Sequence, residues 1–259
     1  MRFACLGSGS RGNALLVESG STCLMVDCGF SQRETTMRLA RLRCEPTRLS
    51  ALLLTHEHAD HARGVGALAR RFNLPVWMTV GTFRALKALL TPLSTVQLFS
   101  PHEPFEIGDI LVTPYPVPHD AREPSQFAFS AGSVRLGLLT DTGSITSHIE
   151  SVLYDCDGLF LECNHDREML WGGPYPEPVK TRIASQFGHL DNADAAELLS
   201  RLNHRRLQHL VAMHLSETNN TPELARAALS TILQCAPEWI QVASQRSGLA
   251  WRTLLASPV

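Results

Sequence analysis

The sequence predicts an α/β protein in which two mixed sheets pack face to face with helices outside. Three observations lead there. Each half of the chain opens with short strands and then alternates strand with helix. Some strand candidates, such as Ala51 to Leu54, are apolar throughout, as strands buried on both faces are. No linker-like or low-complexity stretch separates the halves, so a single domain over residues 1–259 is expected.

Phe3 to Leu6 reads as a strand, followed by the loop Gly7-Ser8-Gly9-Ser10-Arg11-Gly12-Asn13. Ala14 to Glu18 and Thr22 to Val26 form a hairpin across Ser19-Gly20-Ser21. Ser31 to Arg43 is helical, with Ser31 as N-cap. A strand at Ala51 to Leu54 precedes a helix from Asp60 to Arg71, a strand at Pro75 to Met78 and a helix from Gly81 to Leu90. Four strands follow, at Phe105 to Ile107, Ile110 to Val117, Gln126 to Ser130 and Val134 to Leu139. Helices are then expected at Ser147 to Leu153, Asp191 to Asn203 and Thr221 to Leu233. Strands are expected at Gly158 to Glu162, Leu207 to Met213, Trp239 to Val242 and Leu249 to Arg252. The proline-rich run from Gly172 to Pro178 reads as a loop.

Composition narrows the function classes. Hydrophobic residues make up 44% and charged residues 19%, ordinary for a globular enzyme. A net charge of -2 provides no global basic field for nucleic acid, although a local patch is compatible with it. Nearly all basic residues are arginine, the lysines being Lys87 and Lys180. Genome composition accounts for such a bias, and so does bidentate phosphate recognition. The seven cysteines are irregularly spaced with no C-x-x-C, which fits a reducing, cytoplasmic setting. Neither a signal peptide nor a membrane-spanning stretch is recognised.

The strongest local signal is Leu52-Leu53-Leu54-Thr55-His56-Glu57-His58-Ala59-Asp60-His61. A buried strand ends, and the chain at once supplies three imidazoles and a carboxylate. His56 and His58 are two apart in extended chain and face the same way. Asp60 and His61 follow at a helix start, so the four fit two adjacent ions, His56 and His58 on one and Asp60 and His61 on the other. Imidazole and carboxylate suit zinc, manganese or iron. Position 60 is aspartate, which excludes the H-E-x-x-H zincin motif. His119, Asp141 and His214 each lie at a strand end, and His189 precedes a helix; sites are built at such loops.

Thr55 to His61 resembles the T-H-x-H-x-D-H motif of the metallo-β-lactamase superfamily, and Asp27 its first motif; His119, Asp141 and His214 fall in order at the remaining three. Within that superfamily the chain is most similar to the YycJ/WalJ-type, RNase Z-like exonuclease group. The likeness rests on Gly7 to Asn13, Glu162 to Asp166, Gly172 to Pro176, Gly188 to Asn192 and His214 to Asn220. That group usually has serine where Asp191 stands, and an added negative charge is unhelpful beside a phosphate, although Asp191 also suits a helix cap. The resemblance implies a four-layer αβ/βα sandwich. It also implies His56, His58 and His119 on one divalent ion, Asp60, His61 and His214 on a second, Asp141 bridging both, and Asp27 orienting a ligand by hydrogen bond. The segment between His119 and Asp141 is too short for the flexible arm of tRNA-processing RNase Z, and the chain after Asp141 is too short for the inserted domain of cleavage-factor-like nucleases.

The implied reaction is phosphodiester hydrolysis by a hydroxide shared between two Zn²⁺ or Mn²⁺ ions, with Asp60 and His189 as catalytic residues and His189 protonating the leaving oxygen. His165 has a substrate-side or ligand-supporting reading beside a structural one. The loop from Ser8 to Asn13 is either a phosphate cradle or a tight connection. Arg201, Arg205 and Arg206 form a small basic cluster, either a nucleic-acid grip or a solvated face. His102, His148, His204 and His209 read as ordinary surface or packing residues. The expected substrate is a nucleic acid or other phosphodiester, with no membrane partner. A lactonase or thioesterase of the same fold is the alternative. A non-catalytic metal-binding module is disfavoured, because every expected ligand is present.

Overall fold

The computed structural model describes residues 1–90 and 95–256. The first sheet contains β1 (Arg2–Gly7), β2 (Ala14–Ser19), β3 (Thr22–Val26), β4 (Ala51–Leu53), β5 (Val76–Met78) and β6 (Val96–Leu98). The second contains β7 (Phe105–Ile107), β8 (Ile110–Pro116), β9 (Ser125–Ala131), β10 (Val134–Leu139), β11 (Gly158–Glu162), β12 (His209–Met213) and β13 (Gln241–Val242). The chain then crosses back, and β14 (Leu249–Thr253) pairs with β1. Strand order is β14-β1-β2-β3-β4-β5-β6 in one sheet and β13-β12-β11-β10-β9-β8-β7 in the other. In each sheet antiparallel pairing gives way to parallel pairing, from β3 to β6 and from β10 to β13. The likeness between the halves seen in the sequence is thus a likeness of sheet topology.

The helices are α1 (Gln32–Arg41), α2 (Ala59–Ala62), α3 (Val65–Phe72), α4 (Val80–Leu90), α5 (Ser147–Leu153), α6 (Arg167–Gly172), α7 (Glu177–Ile183), α8 (Asn192–Arg201) and α9 (Pro222–Leu233). Alternation along each strand sorts side chains to opposite faces. Phe3, Val17 and Leu53 meet Phe127, Phe129 and Phe160 between the sheets, with Phe3 edge-on to Phe160 at 5.1 Å. Ala4, Leu16 and Leu52 face outward beneath Leu39, Leu68 and Leu86 of α1, α3 and α4. Leu159, Leu161 and Leu210 lie beneath Ile149, Leu198 and Leu229 of α5, α8 and α9. These four layers are the expected αβ/βα sandwich. No described helix is long and apolar enough to cross a membrane.

Three expectations change. The helix expected from Asp60 to Arg71 is two helices broken at Gly64, whose N–H donates to the Cys28 carbonyl at 2.8 Å. A Cβ at Gly64 would run into the Phe30 carbonyl oxygen, so the break lets α2 lie against the β3 end. The strand expected from Trp239 is shorter, because Pro237 to Trp239 closes a 3-10 turn. The proline-rich run is a loop only from Gly173 to Pro176; Gly172 ends α6, and α7 begins at Glu177, with Pro178 in its first turn, where a missing N–H is tolerated. The short elements β6 and α6 carry too little periodicity to have been expected.

Gly64→Ala should lower stability by about 1–3 kcal/mol through overpacking against that carbonyl. Gly172→Ala, where a Cβ meets nothing within 4 Å, should leave stability unchanged or raise it by up to about 1 kcal/mol. Equal thermal unfolding of the two variants would contradict the close approach at Gly64.

Candidate metal centre

The parallel strands of both sheets deliver the chain to one edge of the sandwich. β3 ends one residue before Asp27, whose backbone turns left-handed at φ 61. Its N–H donates to the Leu53 carbonyl at 2.8 Å, tying the ends of β3 and β4. Its carboxylate accepts from the Thr55 N–H at 2.9 Å and the Thr55 hydroxyl at 2.8 Å, and lies 2.8 Å from His61 Nδ1. A carboxylate accepts only, so Nδ1 of His61 carries the proton and Nε2 is left bare toward the cluster. Asp27 therefore has the expected orienting place.

The expected ligand atoms converge. His56, His58 and His119 have donor atoms mutually within 4.8 Å, and so have Asp60, His61 and His214. Asp141 lies between the groups, with its Oδ2 3.2 Å from His61 Nε2 and its Oδ1 3.5 Å from His214 Nε2. Asp141 also falls within 4.8 Å of His56 and His61 as a set of three. Asp141 (φ 51) and His214 (φ 56) follow the ends of β10 and β12 and, like Asp27, are left-handed without being glycine. His56 Nε2 and His214 Nε2 are buried with no hydrogen-bond partner among the described residues. Inward-facing imidazole nitrogens without a hydrogen-bond partner, beside carboxylates, are a donor set that a divalent cation completes as it displaces any proton there.

The electrostatics follow from that crowding. Burial would raise Asp141, but the His214 and His61 imidazoles hold it well below the carboxylate range. Asp60 is likewise lowered despite burial, chiefly by His61 and His214, so it serves as an anionic anchor and is a poor proton acceptor. Burial pushes His56 well below its ordinary value, and His61 adds to this. Burial opposes protonation of His214, yet Asp141, Asp60 and Glu162 together hold it up at about 10.

Glu162 is a further functional candidate, one that the sequence pattern alone does not mark. It ends β11 fully buried, with Oε1 2.7 Å from His189 Nδ1 and 3.4 Å from His214 Nδ1. Its Oε2 accepts the Thr142 N–H at 2.9 Å. The only sequence signal was a glutamate closing an otherwise apolar strand. Because the carboxylate takes Nδ1–H of His189, that ring offers Nε2 to the cleft it lines. The ring lies 5.2 Å from that of His214 and 5.3 Å from that of His119.

The remaining candidates divide. Ser8 and Asn13 are buried behind the cluster. The Ser8 hydroxyl accepts the His214 N–H at 2.8 Å and donates to Asn13 Oδ1 at 3.1 Å, and the Asn13 amide lies 3.1 Å from His61 Nε2. The N–H groups of Gly9, Arg11, Gly12 and Asn13 have partners within the protein, and Ser10 is the residue of this loop that lines the cleft. His165 is buried beside Asp191 and does not line the cleft. Asp191 caps α8 by accepting the Asp194 N–H at 2.8 Å, and its other oxygen pairs with Arg167, so the charge that seemed unhelpful is neutralised. Arg201 pairs with Glu150 and Glu197, and Arg206 with Asp155 and Asp157, which makes that cluster a solvated face. The cleft over the centre has a volume of about 560 Å³; His58, Asp60, Asp141, His189 and His214 lie at its base, and α7 forms one wall.

Residues 22–215 match the model of the Beta-lactamase superfamily domain, and the chain belongs to that superfamily. More particularly, it is 38% identical over 236 residues to Exodeoxyribonuclease YycJ of Bacillus anthracis, covering 90% of this chain and 89% of that one. It is 35% identical over 232 residues to Exodeoxyribonuclease WalJ of Streptococcus pneumoniae, covering 88% and 86%. The crystal structure of the metallo-β-lactamase fold protein YhfI from Bacillus subtilis superposes with a TM-score of 0.76 at 18% identity, over 97% of this chain and 99% of that one, a likeness of fold. Membership and the His/Asp cluster together identify a divalent-metal-binding hydrolase fold.

A pKa raised on folding stabilises fully below the ordinary value and is lost as pH rises through the folded value. For His214 that window runs from 6.5 to about 10. At pH 7.5 the metal-free protein is therefore expected to hold the extra proton on His214. Zinc added at that pH to weakly buffered metal-free protein should release protons, read with an indicator dye. Stoichiometric zinc uptake with no acidification would contradict the assigned protonation.

Proposed function

We propose that the chain is a two-metal phosphodiesterase that acts on DNA, as an exonuclease. The observation that carries this reading is the Glu162–His189 pair, which sets a proton donor beside a doubly grouped His/Asp cluster sharing Asp141. The names of the relatives YycJ and WalJ support DNA as the substrate. They do not favour the carbonyl-ester alternative. A cytoplasmic setting belongs to the same proposal and is supported by seven unpaired cysteines.

His56, His58 and His119 would hold one divalent ion and Asp60, His61 and His214 a second, with Asp141 between them; the donor set fits zinc, manganese or iron. When bound, such ions activate water at neutral pH and neutralise charge on the phosphate. The protein's own groups do the rest. Asp27 and Thr55 fix the His61 ring, and Ser8 fixes the His214 backbone, so the cluster needs little rearrangement. Glu162 holds the His189 ring through Nδ1–H and so aims Nε2, as the proton-carrying atom, at the departing oxygen. Nε2–H then passes to the departing oxygen, and a neutral ring is left still bonded to Glu162.

His189→Ala should lower kcat on single-stranded DNA about 10²–10⁴-fold while bound metal is retained. The loss on bis-p-nitrophenyl phosphate should be much smaller, because p-nitrophenolate leaves without a proton. Glu162→Gln should reduce DNA turnover about tenfold or more, and His58→Ala should lose both metal and activity. Equal loss on both substrates in His189→Ala would rule out the proton-donor role, and turnover of lactones alone by the wild type would rule out the phosphodiesterase.

A further inference from the structure

We infer that Arg182, held in place by Asp120, is the substrate-binding cation of the cleft and grips the phosphate next to the one that is cleaved. The inference rests on the phosphodiesterase reading. Arg182 lies on α7 four residues after Pro178, so both fall on the helix face that walls the cleft, beside Val179 and Ile183. It is the only arginine or lysine among the described residues that line the cleft, whereas Asp60, Asp120 and Asp141 are carboxylates there. A polyanionic strand entering this cleft therefore meets one permanent cation outside the metal cluster.

The local geometry is that of an anion presenter. The Arg182 Nε donates to Asp120 Oδ2 at 2.6 Å, and its guanidinium has no other partner among the described residues while its side chain is 68% exposed. A guanidinium braced through Nε keeps both terminal nitrogens for a bidentate contact. Asp120 braces it from a fixed base, since its N–H donates to the Phe187 carbonyl at 3.0 Å. The other carboxylate oxygen, Oδ1, lies 3.5 Å from His119 Nε2 and 3.8 Å from His58 Nε2. Asp120 thus stands between Arg182 and the cluster. The guanidinium is one carboxylate removed from the imidazoles, which places it at a neighbouring phosphate and not at the scissile one.

The test compares metal-loaded wild type, Arg182→Ala and Arg205→Ala. Arg205 is an exposed arginine outside the cleft, and its loss changes net charge equally. Binding of a hydrolysis-resistant phosphorothioate single strand is followed by fluorescence anisotropy across a salt series, and turnover is measured on a DNA oligonucleotide and on bis-p-nitrophenyl phosphate. Arg182→Ala should raise Kd and KM for DNA about tenfold and leave kcat within about threefold, as loss of uniform binding does. The salt slope should fall by about 0.7, the value for one phosphate contact on a single strand. Turnover of the small diester, which has no neighbouring phosphate, should be unchanged, as should every property of Arg205→Ala. An unchanged slope in Arg182→Ala, an equal effect of Arg205→Ala, or parallel loss of small-diester turnover would each overturn the assignment while leaving a wild-type phosphodiesterase standing. A wild type that neither binds nor cleaves either substrate would overturn the function and this assignment together.

Discussion

Asp27, Asp141 and His214 each occupy the left-handed region of backbone space within two residues of a strand end, and none is glycine. Such a conformation costs on the order of 1–3 kcal/mol per residue and persists only where the surroundings over-determine it. Here they do. Asp27 is pinned to Leu53 through its N–H and to Thr55 and His61 through its carboxylate. His214 is pinned through its N–H to Ser8, a residue from the far end of the chain. The Asp141 turn is closed by Gly143, whose N–H donates to Pro118 at 2.8 Å and whose missing Cβ leaves room for Gly188. The tight reversals turn three side chains from two sheets toward one another, and the pairing of equivalent strand edges decides which side chains meet.

What meets there is otherwise unfavourable. Imidazoles and carboxylates are packed in a buried volume where isolated charges are strongly penalised. They are tolerable because each neutralises the next, as the lowered Asp141 and raised His214 record, and because a cation can complete the set. Glu162 extends the pattern outward: one buried carboxylate touches both His214 of the cluster and His189 of the cleft, linking the centre to the side chain proposed to handle the leaving group. The surface arginines that drew notice in the sequence take no part, since Arg201 and Arg206 are already paired with local carboxylates.

Much of this was legible in the sequence for a physical reason. Ligands following buried strands sit beside unmistakable apolar runs, so His56 to His61, Asp141 and His214 stood out, and strand alternation gave the sheets. The break at Gly64 did not stand out, because a glycine inside a helical pattern is often tolerated and only the approach of Phe30 makes it decisive. Glu162 was hidden because a glutamate ending a strand is usually a solvated residue, and its burial depends on His189 arriving from a distant loop. Arg182 was hidden in the short helix that follows a proline-rich stretch, and its brace, Asp120, is 62 residues away in the chain. Asp191 looked unhelpful because its partner, Arg167, is not a sequence neighbour.

The most direct test of the central claim is a metal titration of the stripped protein, with an end-labelled single-stranded oligonucleotide and a lactone in parallel reactions. The DNA should shorten progressively from one end, only with metal present, saturating near two equivalents of manganese or zinc, with the lactone intact. Opening of the lactone at saturating metal while the oligonucleotide stays full length would contradict it.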